Sequence, residues 1–131
     1  IDTPGAELSP EAEQGAIAGE IARCISSMST MQVPSVSVLL GQGCGGGALA
    51  LLPASTVIAT QHSWLSPLPP EGASAIVHGD VDHAAEMAAA QRISAFDLKE
   101  AGAVQHIIAE PTHDDPEAFS CAVAAWVAPP I

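Results

Sequence analysis

Val36-Ser37-Val38-Leu39-Leu40-Gly41-Gln42-Gly43-Cys44-Gly45-Gly46-Gly47-Ala48-Leu49-Ala50-Leu51-Leu52 is the stretch on which the fold turns. It reads as a buried strand, a glycine turn and the start of a short apolar helix. Five of the seven residues from 41 to 47 are glycine. Without a Cβ the backbone N–H groups can meet a ligand at contact distance. The helix behind them adds unpaired N–H groups and the positive end of its dipole. Such a turn suits negative charge.

Three anions compete for that turn, alongside a tight strand-to-helix connection with no ligand. A Walker-type phosphate loop needs Gly-Lys-Ser/Thr, and the turn holds no lysine. A dinucleotide fingerprint is present in letters as Gly41-x-Gly43-x-x-Gly46. It also requires an acid about 20 residues on, closing a second strand. The next acid, Glu71, follows Pro69-Pro70, which suits a helix start. The third reading is an oxyanion hole, two backbone N–H groups aimed at a carbonyl oxygen that gains charge.

The totals narrow the field. A chain of 131 residues fits one domain. Three basic residues (Arg23, Arg92 and Lys99) stand against fifteen acids, and the net charge of −12 argues against nucleic acid and anionic membrane surfaces. Only 14% of residues are charged, so an apolar part of the surface is expected to lie against another chain or domain. The near-apolar run from Gly45 to Ala59 is broken by Pro53 and too short to span a bilayer. Cys24, Cys44 and Cys121 have no metal spacing; Cys24 and Cys121 are expected as buried thiols on apolar helix faces. An odd count without an export signal favours a reducing, cytoplasmic setting. None of the five histidines has HxxxH or HExxH spacing, so no metal site is expected. Cys44 at a helix N-terminus resembles an activated thiolate in position. It lacks a base partner and is read as a small residue tolerated in the turn.

Outward from the glycines, Ile1 to Ala6 reads as a turn leaving a strand, with an Asp2-x-x-Gly5 pattern too short to specify a nucleotide site. Ser9-Pro10 starts a helix expected to run to about Met31, its Ile17, Ile21, Cys24, Ile25, Met28 and Met31 recurring at helical spacing as a core stripe. Thr56–Thr60 is a second strand and Gln61–Leu68 irregular. Pro69-Pro70-Glu71-Gly72 opens a helix to about Val77. Asp82 is expected to cap a helix ending near Ile93, Ser94 a short one over Ala95–Ala101, stopped by Gly102. Val104–Ala109 is a third strand, His113-Asp114-Asp115 a solvated loop, and Asp115-Pro116-Glu117 starts a last apolar helix through Trp126. Strands alternating with helices predict an α/β fold with a mainly parallel sheet.

In order, Ile1-Asp2-Thr3-Pro4-Gly5-Ala6, Glu20-Ile21-Ala22-Arg23, Val33-Pro34, Gly41-x-Gly43-x-x-Gly46-Gly47-Ala48-Leu49-Ala50, Pro70-Glu71-Gly72-Ala73-Ser74-Ala75-Ile76, Asp97-Leu98-Lys99 and Ile107-Ile108-Ala109-Glu110-Pro111 form a specific series. The series resembles the carboxyltransferase component of acetyl-CoA carboxylase, most closely its alpha-type half, over nearly the whole chain. That resemblance implies a crotonase-like spiral of ββα repeats, here incomplete on its N-terminal side. Residues 1–131 would be the C-terminal part of one such domain. It implies a biotin-dependent acetyl-CoA or acyl-CoA carboxylase, moving a carboxyl group from carboxybiotin on a carrier protein to an acyl-CoA. The products would be of the malonyl-CoA type used in fatty acid biosynthesis. It places backbone donors of a biotin-side oxyanion hole at Gly46, Gly47 and Ala48. The biotin side would be completed by Gly43, Cys44, Gly45, Pro70, Glu71 and Gly72, with no metal in this part. The implied partners are a beta-type carboxyltransferase half, a biotin carboxyl carrier protein and the acyl-CoA, in an oligomer. Alone, the chain would be inactive.

Two departures accompany the resemblance. Cys44-Gly45 stands where the alpha-type pattern has Gly-Ser, and Gln61 to Pro69 is altered. Two other function classes stay open beside it: another crotonase-like enzyme, such as a hydratase, isomerase or decarboxylase, or a non-catalytic structural partner of a carboxylase.

Overall fold

A computed structural model describes residues 1–111 and 115–127. Its strands fall into two parallel sheets that the chain visits alternately. β1 (Val36–Leu39) enters the first sheet, β2 (Gln42–Cys44) the second, and α3 (Gly45–Leu51) follows. The next turn repeats the pattern with β3 (Thr56–Thr60), β4 (Trp64–Ser66) and α4 (Pro70–Val77). β1 pairs with β3 from Val36↔Thr56 to Leu39↔Ala59, and β2 pairs with β4 from Gln42↔Trp64 to Cys44↔Ser66. Two successive ββα units therefore stack in register, which is the spiral expected above. β5 (His106–Ile108) adds a third strand beyond β3.

The N-terminal residues form a further rung. The Ile1 amino group donates to the Val38 carbonyl, Leu40 N–H to Ile1, Thr3 N–H to Gln42 and Cys44 N–H to Thr3. Asp2 Oδ1 accepts the Gln42 N–H at 2.9 Å. A Cβ on Gly41 would stand 2.6 Å from that same oxygen, so Gly41 is a glycine because the Asp2 side chain fills its space. The Asp2-x-x-Gly5 pattern is a brace between rungs.

The core joins both sheets to the helices: Leu39, Ala48, Val57, Ala59, Leu65, Ala95 and Val104 form one buried cluster. Alanines at 48, 59 and 95 let α3 and α6 (Ala95–Glu100) approach the strands closely. Below β5 a side chain extends the ladder: Val57 N–H donates to Gln105 Oε1 at 2.7 Å, while Gln105 N–H donates to the Val57 carbonyl.

Several expected elements differ. The single helix from Pro10 to Met31 is two, α1 (Pro10–Gln14) and α2 (Ile17–Ser29), because Gly15 ends the first and Ala16 turns left-handed at φ 58°. The α2 stripe is only half-buried at Ile17, Ile21, Ile25 and Met28, and Cys24 and Met31 are exposed. Cys121, on α7 (Pro116–Val127), is exposed as well. Both expected buried thiols therefore lie on the outer sides of helices that bury no residue fully. The Gln61–Leu68 stretch contains β4, and α5 (Ala84–Gln91) is preceded by His83, not Asp82. Of the loop His113-Asp114-Asp115, the first two residues lie outside the described residues. Among those described, no helix is long and apolar enough to cross a membrane.

Candidate functional site

The glycine turn is the junction of β2 and α3. Cys44 is extended, at φ −114° and ψ 137°, and Gly45 takes φ +61° before the helix begins. Only a residue without a Cβ makes that step at little cost. The first N–H groups of a helix have no partner within it. Among the described residues, neither the Gly46 nor the Gly47 N–H makes a hydrogen bond. Ala48, next in line, is wholly buried, with 0% exposure, so its N–H is closed to solvent.

The glycines also make room for the protein itself. A Cβ on Gly46 would lie 2.8 Å from Ile21 Cδ1 of α2. One on Gly47 would lie 3.2 Å from Ala6 N and Gly5 C. One on Gly43 would strike Leu39 Cδ1 at 2.7 Å and Leu65 Cδ1 at 2.8 Å. Gly43 is therefore packed closely inside the sheet. Gly46 and Gly47 combine packing on the Cβ side with free donors on the backbone.

A cavity of about 340 Å³ opens at this junction. Cys44, Gly45 and Gly46 form one side, Pro67–Pro69 another, and Gly5, Ile17 and Ile21 the third. Glu7 and Glu13 also line it. Pro70 and Glu71 line a different cavity of about 530 Å³, between Trp64, Ile93 and Phe96. Gly72 lines neither; its Cβ position faces Leu68 Cδ1 at 3.3 Å. The structure thus brings Cys44, Gly45 and Gly46 together and sets Pro70 and Glu71 at a neighbouring opening.

Cys44 is not an activated nucleophile. Burial pushes its thiol up from the ordinary range, and the Glu71 carboxylate pushes it further the same way. Sequence reading missed the second cavity. Its signal was the aromatic and polar mix of His62-Ser63-Trp64 before the Pro-Glu-Gly helix, in a stretch read as irregular.

The family model for acetyl co-enzyme A carboxylase carboxyltransferase-like proteins matches residues 1–128. The chain belongs to this family. It is 52% identical over 130 residues to a probable biotin-dependent acyl-coenzyme A carboxylase beta3 subunit of Mycobacterium tuberculosis, covering 98% of this chain and 26% of that relative. It is 38% identical over 131 residues to an acetyl-coenzyme A carboxylase carboxyl transferase subunit alpha of Acidiphilium cryptum, covering 98% of this chain and 41% of that one. The carboxyltransferase-like chain therefore spans about a quarter to two-fifths of these relatives. Among solved structures, a Pseudomonas malonate decarboxylase hetero-dimer superposes with a TM-score of 0.77 at 14% identity, over 97% of this chain and 53% of that one. The transcarboxylase 12S core superposes with a TM-score of 0.71 at 22% identity, over 100% of this chain and 28% of that one. These likenesses give the fold, which is crotonase-like and present here in part.

Proposed function

We propose that this chain is the biotin-side part of the carboxyltransferase of a biotin-dependent acyl-CoA carboxylase, forming the C-terminal part of one crotonase-like domain. When bound, carboxybiotin on its carrier protein supplies the carboxyl group that is transferred to the α-carbon of an acyl-CoA, giving a product of the malonyl-CoA type. The chain's own contribution is electrostatic. The Gly46 and Gly47 N–H groups are fixed by the helix behind them and by the rung in front. They offer two preorganised donors to an oxygen that gains negative charge as the carboxyl group leaves. Backbone donors of this kind neither titrate nor need reorganisation. Ala48 packs behind them in the core and anchors the first turn of α3. The beta-type half and the acyl-CoA site would come from outside these residues.

The observation that carries this reading is the pair of N–H groups at Gly46 and Gly47 that make no hydrogen bond among the described residues, Gly46 lining the cavity between Gly45 and Pro67. The test removes a donor without removing the turn. Proline is tolerated in the first turn of a helix, where its missing N–H has no intrahelical role. Its ring would meet Ile21 Cδ1, so the variant is Gly46→Pro in an Ile21→Val background, with Gly46→Ala in the same background as the control that keeps the N–H. In the enzyme reconstituted with the remaining carboxyltransferase, the proline variant should lower carboxyl transfer about 10²–10³-fold, the size of losing one such donor. The alanine control should retain most of the rate, and acyl-CoA affinity should hardly change in either. A folded proline variant working at the control's rate would remove the assignment.

A further inference from the structure

The turn between α4 and α5 holds a cluster of ionisable groups that the reading above does not use. His78 closes α4 and His83 precedes α5. Their rings stack with centroids 4.1 Å apart and planes 15° from parallel. His83 Nδ1 lies 2.9 Å from Asp80 Oδ1, and that oxygen also accepts the Asp82 N–H at 3.0 Å. The fully buried Ser74 of α4 receives the His83 N–H on its Oγ at 3.2 Å. One carboxylate, one hydroxyl and two imidazoles thus join the end of one helix to the start of the next. Among the described residues, no group of three metal-binding side chains is placed to hold an ion.

We propose that the His78–Asp80–His83 cluster is a proton-operated clasp that fixes α5 against α4, tight while the His83–Asp80 pair holds its proton and looser once that proton leaves. The first proton belongs to His83. Its hydrogen bond to Asp80 and the charge of that carboxylate, with a smaller push from Glu86, hold the imidazole above the ordinary histidine range. The same hydrogen bond holds Asp80 below the ordinary carboxylate range. Stability from His83 is therefore present below the ordinary histidine value and lost as pH rises through the raised one. Stability from Asp80 is present above the ordinary carboxylate value and lost as pH falls through the lowered one. The charge at the α5 N-terminus is also opposed by the helix dipole, so His83 depends on Asp80 and Glu86 to carry it. Histidine chemistry puts the His83 change between about pH 5 and 8. The cavity that holds Pro70 and Glu71 of α4 and Ala88 of α5 lies between the two helices that the clasp joins. The inference is independent of the biotin-side reading.

The test is amide exchange in α5, corrected for intrinsic rates, together with NMR titration of the histidines in the intact chain. Protection of Ala84–Gln91 should be highest below the His83 titration and fall as pH rises through it, by up to about tenfold, since one unit of pKa difference between closed and open forms changes their ratio about tenfold. Asp80→Asn should bring the His83 titration down to the ordinary histidine range and abolish the alkaline fall. His83→Gln should likewise abolish the alkaline fall. A wild-type profile that is flat across this range, or a His83→Gln profile that matches wild type, would overturn the proposal. If Asp80→Asn does not fold, the His83→Gln arm decides alone.

Discussion

Ile21 and Gly46 should behave as one packing unit, and a double-mutant cycle measures how tightly. Gly46→Ala puts a methyl 2.8 Å from Ile21 Cδ1, too close for two carbon atoms. Overpacking of this sort costs about 1–3 kcal/mol. Alanine in place of glycine in a helix returns up to about 1 kcal/mol, and less in the first turn. The net effect should be a loss of about 0.5–2 kcal/mol, below the overpacking term alone. Ile21→Val deletes the offending Cδ1; the next atoms, Cγ2 and Cγ1, are at 3.6 and 3.7 Å, ordinary contact distances. Alone it should cost about 0.5–1 kcal/mol, the low end for this change, because Ile21 is only half-buried. Together the two should be less damaging than their sum, by about 1–2 kcal/mol, well outside the few tenths expected of independent sites. Urea unfolding of the four proteins, followed by circular dichroism, gives the cycle. Additivity within about 0.5 kcal/mol would refute the contact and the explanation of why position 46 lacks a Cβ.

Three further outcomes follow from the local structure. Ala16→Gly should raise stability by about 0.5–1 kcal/mol, because a left-handed alanine carries a larger penalty than the added freedom of glycine in the unfolded chain; a lowered urea midpoint would contradict it. Ser94→Ala should cost about 1 kcal/mol, since Ser94 Oγ accepts the Asp97 N–H at the start of α6. The same hydroxyl, with Arg92, holds Asp97 below the ordinary carboxylate range, so this variant should also lose stability less steeply as pH falls through the Asp97 value. Of the three thiols, exposed Cys24 and Cys121 should react quickly with a thiol reagent while Cys44 reacts slowly, and Glu71→Gln should speed Cys44 at fixed pH; equal rates for all three would contradict its burial.

The parts of this fold that read clearly from sequence are those where pattern and burial agree. Thr56–Thr60 is β3 to the residue, and Pro70 opens α4 through Val77 as expected, because apolar continuity and a proline start are local signals. β2 and β4 were not legible. Gln42-Gly43-Cys44 carries low strand propensity, and Trp64–Ser66 sits just before prolines; each is a strand because it pairs with the other, a non-local cause. The helix break was legible at Gly15, a residue suited to ending a helix, but the apolar stripe running past it masked the signal. At the glycine turn the residues needed were visible while their reasons were not. Spacing alone could not tell that Gly43 yields to Leu39 and Leu65, Gly46 to Ile21 and Gly47 to the Gly5–Ala6 backbone.

That double use of the glycines decides how the site has to be probed. A Cβ at 47 meets backbone atoms of the N-terminal rung, which cannot rotate aside as a side chain can. Valine there would disturb the attachment of residues 1–6 before it disturbed any bound oxygen, and a lost activity would not distinguish the two. Position 46 differs because its neighbour is the far end of an isoleucine, and that end can be cut off. Packing and donation then separate: alanine with Ile21→Val restores the space and keeps the N–H, and proline with Ile21→Val restores the space and removes it. The difference between those two proteins isolates the N–H, apart from the constraint of the proline ring, which the first turn of a helix accommodates.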